Sequence, residues 1–267
     1  MLVLASAALH AGWNALVAGA RDTHATSAVA LCIGAAVFAI PAALTWDVDA
    51  AAVPYIVASG LLELVYFALL ATAYTRADYT FVYPIARGSA PVLVLAISVI
   101  ALGVHVSGFA AAGVLLVAAG VLLVRGVGRG GDAAALALAL CVGATISGYT
   151  LVDDHGVRHA GALAYFECVL LICALPYAAA IAHSRPGALR AALGRRSLPA
   201  GIGMVGAYVL ILAALERAEA APVAALRETS VVMAAGGAAI AGRERVPPGR
   251  VAGAILVVAG IAAIALG

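Results

Sequence analysis

Ten runs of apolar residues, separated by short polar breaks, follow one another along the chain. They fall at about 2–20, 24–45, 52–75, 80–102, 105–124, 133–152, 160–182, 199–215, 221–242 and 249–266. An α-helix rises 1.5 Å per residue, so about 20 residues cross about 30 Å of hydrocarbon. The pattern therefore predicts ten transmembrane helices. Breaks as short as Arg21 to Thr23, Asp47 to Asp49 and Arg76 to Asp78 predict antiparallel hairpins between neighbours. The one extended polar connection is His183 to Ser197. The first run ends in Ala18-Gly19-Ala20, which resembles a processing site, but no basic stretch precedes it and it is read as a retained span.

The runs repeat. Arg87 and Arg227 lie 140 residues apart inside the fourth and ninth runs, and Gly113 with Gly253 and Gly120 with Gly260 keep that offset. Arg76-Ala77-Asp78 matches Arg217-Ala218-Glu219 one residue out of register, and Gly12-Trp13-Asn14 resembles Gly148-Tyr149-Thr150. This divides the chain into two five-helix repeats, 1–125 and 132–267. Five is odd, so the second copy enters the membrane upside down, as in many secondary transporters. Loop charge agrees: the loops after the first, third, fifth, seventh and ninth spans carry eleven arginines, the other loops two. Cytoplasmic loops collect basic residues, which places both termini outside a bacterial inner (plasma) membrane.

Composition narrows the function classes. The chain of 267 residues is 65% hydrophobic and 10% charged, with a mean hydropathy of +1.11, whereas soluble domains carry about 25% charged residues. A net charge of +2 gives no footprint for nucleic acid. An intramembrane enzyme would need a nucleophile with its base, or a metal constellation, and the sequence has no G-x-S-x-G and no H-E-x-x-H. Cys32, Cys141, Cys168 and Cys173 form no ligand spacing, and Asp153-Asp154-His155 with His159 reads as a polar helix end in an external loop. No cofactor and no metal are expected. The expected partners are a small-molecule substrate and the lipid bilayer, with the chain a monomer or homodimer.

Candidate chemistry sits where charge interrupts the apolar runs. A guanidinium near the bilayer centre costs about 2.5–3.5 kcal/mol on insertion scales, so each such arginine marks a candidate site. Arg87 lies roughly 12 Å into its span and Arg227 roughly 9 Å. Pro84, Gly88 and Pro91 predict a broken helix around Arg87, the kind of backbone that lines a transport cavity. Arg87 offers a planar fork to a carboxylate or phosphate; the competing reading is an ion pair with Glu63 or Glu228. Arg87, Tyr83, Trp13, Asn14, Tyr66, Tyr149, Arg227 and Tyr208 are the candidate substrate-binding residues. Glu63, His10, Glu167 and Glu228 are the candidates for proton coupling. Trp46 and Tyr55 read as interfacial belt residues, and the paired glycines as a face of close helix approach. Arg87 together with Glu63 favours an anionic or zwitterionic solute.

The chain resembles the EamA-type permeases of the drug/metabolite transporter superfamily. The resemblance is carried by His10-Ala11-Gly12-Trp13-Asn14-Ala15-Leu16, by Tyr83 to Pro91, by Ala225-Leu226-Arg227-Glu228-Thr229-Ser230 and by the glycine-spaced repeat ends. Family members often carry Leu-Gly-Glu after the fourth helix of each repeat. Here the second copy has Gly242-Arg243-Glu244, while Leu102-Gly103-Val104-His105 lacks the acid. The resemblance implies export or exchange of amino acids or related amphipathic metabolites, coupled to protons or a counter-substrate. Exchange of organophosphates or nucleotide sugars on the same fold is the neighbouring alternative.

Overall fold

The structure, a computed structural model, describes residues 1–125, 132–230, 232–233 and 248–266. Eleven α-helices lie among them: α1 Leu2–Ala18, α2 Thr23–Leu44, α3 Val53–Arg76, α4 Tyr79–Ile100, α5 Gly108–Arg125, α6 Ala133–Gly156, α7 Ala162–Ser184, the one-turn α8 Ala188–Ala192, α9 Ser197–Leu215, α10 Ala220–Arg227 and α11 Pro248–Leu266. Among the described residues six helical segments are long and apolar enough to cross a membrane, and α1, α5 and α11 contain shorter apolar stretches. The fold is all-helical and multi-pass. Most of the ninth predicted span beyond Arg227, and the Gly242-Arg243-Glu244 corner, lie outside the described residues.

Helix ends follow local chemistry. Asp22 caps α2 by accepting the Ala25 N–H at 3.0 Å, and Asp132 caps α6 through Ala135 at 2.8 Å. Asp22 also receives Arg185 at 2.6 Å, tying the start of α2 to the end of α7. Burial pushes the Asp22 carboxyl up, but the Ala25 hydrogen bond and Arg185 outweigh it and hold the group below its ordinary value.

Two boundaries differ from the sequence expectation. α6 continues through Asp153 and Asp154 to Gly156, so those residues are helical and not in an external loop. Two phenols satisfy Asp153 there, and Asp154 pairs with Arg158 one turn on. α4, predicted to break around Arg87, is one continuous helix containing Pro84 and Pro91. A proline removes one backbone donor, which for Pro91 is the usual partner of the Arg87 carbonyl, and a helix packed among neighbours tolerates that loss. α6 packs directly on this stretch, where the Ser147 hydroxyl donates to the Ala90 carbonyl at 3.0 Å. The interruption appears in the second half instead: α10 ends at Arg227, Glu228 is a turn residue, and helical backbone resumes at Thr229.

The packing is reciprocal between the two halves. α1 lies against α9 as α6 lies against α3, and α2 meets α9 as α7 meets α3. α2 contacts α7, and α5 contacts α11 most extensively of all. In that last pair, a Cβ on Gly113 would stand 2.6 Å from the Gly260 carbonyl oxygen, and one on Gly120 would stand 2.6 Å from that of Gly253. Backbones approach that closely only where side chains are absent. Ascending numbers on α5 meet descending numbers on α11, so the two helices run antiparallel.

Candidate functional site

Between α1, α3, α6, α7 and α9 the core is a chain of aromatic rings. His10 stands 5.6 Å from Trp13, Trp13 6.3 Å from Phe67, and Phe67 4.8 Å from Tyr66. Tyr66 meets Tyr149 edge-on at 5.7 Å, Tyr149 meets Tyr208 at 5.6 Å, and Tyr208 meets Phe166 at 4.7 Å. Edge-to-face contacts of this kind contribute about 0.5–1.5 kcal/mol beyond area burial. Helical spacing places them: His10 and Trp13 share a face of α1, and Glu63 and Tyr66 share a face of α3.

These rings, with Glu63 and Met204, line a cavity of about 20 Å³. That volume admits about one water. Glu63 is the one carboxylate lining it; the residue is 3% exposed, its Oε2 has no hydrogen-bond partner, and no cation lies within ion-pair distance of it among the described residues. A buried, unpaired carboxylate costs several kcal/mol, so its retention points to a proton or a cationic group as its partner.

The arginines lie beside this cavity and do not line it. Arg87 from α4 approaches Glu228 with Nε 3.1 Å from Oε2, but the N–H does not point at the oxygen, leaving an ion pair without a hydrogen bond. Its guanidinium sits 5.8 Å from the centre of the Tyr83 ring, and Tyr83 donates to Ser230 at 3.0 Å. Arg227 is completely buried, 3.9 Å from Glu228, and none of its three side-chain nitrogens has a hydrogen-bond acceptor. It lies within electrostatic reach of Glu63 and Tyr149. Of the two partners open to Arg87 in the sequence, Glu228 is the one it meets. One carboxylate thus faces two guanidinium groups.

Of the twelve sequence candidates, His10, Trp13, Glu63, Tyr66, Tyr149 and Tyr208 meet at the cavity, and Arg87, Tyr83, Arg227 and Glu228 form the adjoining charged group. Asn14 is buried but turned away: it accepts from Tyr74 at 3.0 Å and donates to the His10 carbonyl at 3.0 Å. Glu167 is buried on α7 outside the cavity lining. Tyr55, expected at an interface, stacks on His155 and His159 at 6.3 and 6.0 Å.

In the sequence Asp153 reads only as part of a polar helix end, because a polar triplet after an apolar run resembles a membrane exit. The readable signal was its spacing, four residues after Tyr149 on the same helical face. Beyond it, at the end of the molecule where α4 and α6 stop and α10 begins, a pocket of about 280 Å³ is lined by Asp154, His155, Arg158 and Glu219 among others.

The profile of the EamA-like transporter family matches residues 133–266. A solved crystal structure superposes on 99% of this chain and 95% of its own with a TM-score of 0.76 at 18% identity, a likeness of fold alone. Comparison with curated protein sequences finds no significant match.

Proposed function

Because the chain belongs to the EamA-like transporter family, and is by that membership a multi-pass membrane transporter, we propose that it moves a small zwitterionic or anionic metabolite, such as an amino acid or a related amphipathic compound, by alternating access between two inverted five-helix halves. The observation that carries this reading is Arg227, a completely buried guanidinium with no hydrogen-bond acceptor on any nitrogen and only a 3.9 Å ion pair to Glu228, beside an aromatic cavity whose one carboxylate has no ion-pair partner among the described residues. Two buried opposite charges that do not satisfy one another fit a ligand bearing both signs. A solute carboxylate offers Arg227 the bidentate acceptor it lacks. A solute ammonium meets Glu63 among ring faces that attract cations.

A cavity of about 20 Å³ is too small for such a solute, so the described arrangement corresponds to a closed stage of the cycle. Opening then requires one half to rock against the other. The reciprocal packing of α1 on α9 and α6 on α3, and the antiparallel α5–α11 seam, support the inverted-repeat reading. The excess of arginine in alternate loops supports external termini.

The test is counterflow of a panel of labelled amino acids and organic anions into proteoliposomes. Arg227→Ala is expected to lower counterflow of the transported compound at least tenfold, and Arg87→Ala to lower it less, since Arg87 lies closer to their shared anionic partner Glu228. Full counterflow by Arg227→Ala would remove that residue from the binding role.

A further inference from the structure

Asp153 belongs to neither the charged pair nor the cavity lining, yet it touches the cavity through one side chain. It is fully buried one turn before the end of α6. Tyr165 on α7 donates to its Oδ1 at 2.8 Å, and Tyr208 on α9 donates to its Oδ2. No ion pair among the described residues includes it. The charged and titratable groups around it come from every helix packed on α6. α3 brings Glu63, α7 brings Tyr165, α9 brings Tyr208, and α4 brings Arg87, which is committed to Glu228. Arg227, at the end of α10, acts on it from a distance. On α6 itself Tyr149 precedes it by a turn, and Asp154 and His155 line the outer pocket.

The two phenols are not equally free. Tyr165 is wedged where Gly156 has no side chain: a Cβ there would lie 2.6 Å from the Tyr165 Cζ. Tyr208 instead borders the cavity, which has room for a turned hydroxyl.

We infer that Asp153 is a proton-binding site whose occupancy turns the Tyr208 hydroxyl and so switches the polarity of the cavity wall. An ionised carboxylate only accepts hydrogen bonds, whereas a protonated one also carries an O–H donor. One proton added to Oδ2 forms that O–H at the position where Tyr208 now donates. The phenol then rotates about its C–O bond: its oxygen accepts the new O–H, and its own hydrogen points into the cavity. The only bond broken is the O–H of the hydronium ion that delivers the single proton and leaves as water. A solute acceptor in the cavity gains a donor only in the protonated form, so proton and solute each strengthen the binding of the other by the same factor. That last linkage rests on the transport reading; the switch itself does not.

Infrared difference spectroscopy of the protein in lipid vesicles without solute, over pH about 4 to 9, tests the switch. In the wild type a protonated-carboxyl band is expected to grow as pH falls, and tyrosine ring bands to shift with the same midpoint. Asp153→Asn, close in size and shape, should lose both, and Glu63→Gln should keep both. Tyr208→Phe should keep the carboxyl band with a displaced midpoint and lose the larger part of the tyrosine change, leaving that of Tyr165, which decides the matter if Asp153→Asn fails to fold. The inference is overturned by a wild type with no titrating carboxyl band, by an Asp153→Asn spectrum like the wild type, or by a tyrosine change that Tyr208→Phe leaves undiminished. Counterflow plays no part in these outcomes, so failure here is distinct from failure of the transport reading.

Discussion

Glu228 lies between two guanidinium groups, 3.1 Å from Arg87 and 3.9 Å from Arg227, with no exposure to solvent. Removing one partner of a buried ionic group leaves uncompensated charge, which costs about 3–5 kcal/mol. Glu228→Gln is therefore expected to lower the thermal unfolding midpoint of the detergent-solubilised protein. Adding Arg87→Met to it should recover part of the loss, because one of the two orphaned charges is gone. A Glu228→Gln midpoint equal to the wild type would mean that Glu228 does not offset the arginines. The sequence made both arginines legible through their 140-residue register, and it offered Glu63 and Glu228 as partners on equal terms. Choosing between them needed the turn at Glu228 to be known, and that turn is a product of packing. Asp153 escaped for a related reason: what keeps it in the core is a pair of tyrosines 12 and 55 residues away.

At the scale of elements, the contrast between α4 and α10 shows what proline alone does and does not decide. α4 holds Pro84 and Pro91 and stays helical where α6 packs on it and Ser147 donates to Ala90, while α10 stops at Arg227 with no proline nearer than Pro222. The glycine pairs were the better guide, since their face of close approach is where α5 and α11 meet. Gly113→Val places branched carbons against a carbonyl oxygen 2.6 Å from its Cβ position, and the helices must separate. Overpacking of this kind costs about 1–3 kcal/mol. The expected result is a lowered unfolding midpoint, with a comparable loss for Gly260→Val because each glycine faces the other. No change in either variant would show that the seam tolerates separation.

For the whole molecule, the alternating access proposed above asks that some contacts persist while others break. The α5–α11 seam, glycine against backbone, is suited to persist; the aromatic chain across α1, α3, α6, α7 and α9, closed around about 20 Å³, is suited to open. The seam has a further consequence. The 140-residue offset equates Gly113 with Gly253 and Gly120 with Gly260, so Gly113 against Gly260 and Gly120 against Gly253 form an isologous contact, the self-complementary kind that joins two identical subunits about a two-fold axis, here found within a single chain. Such an interface does not depend on the covalent link between its sides. Two polypeptides, one ending at Arg125 and one beginning at Asp132, are therefore expected to assemble when co-expressed, with a tag on either half retrieving the other. If neither half recovers its mate, the connecting segment, and not the seam, is what holds the halves in register.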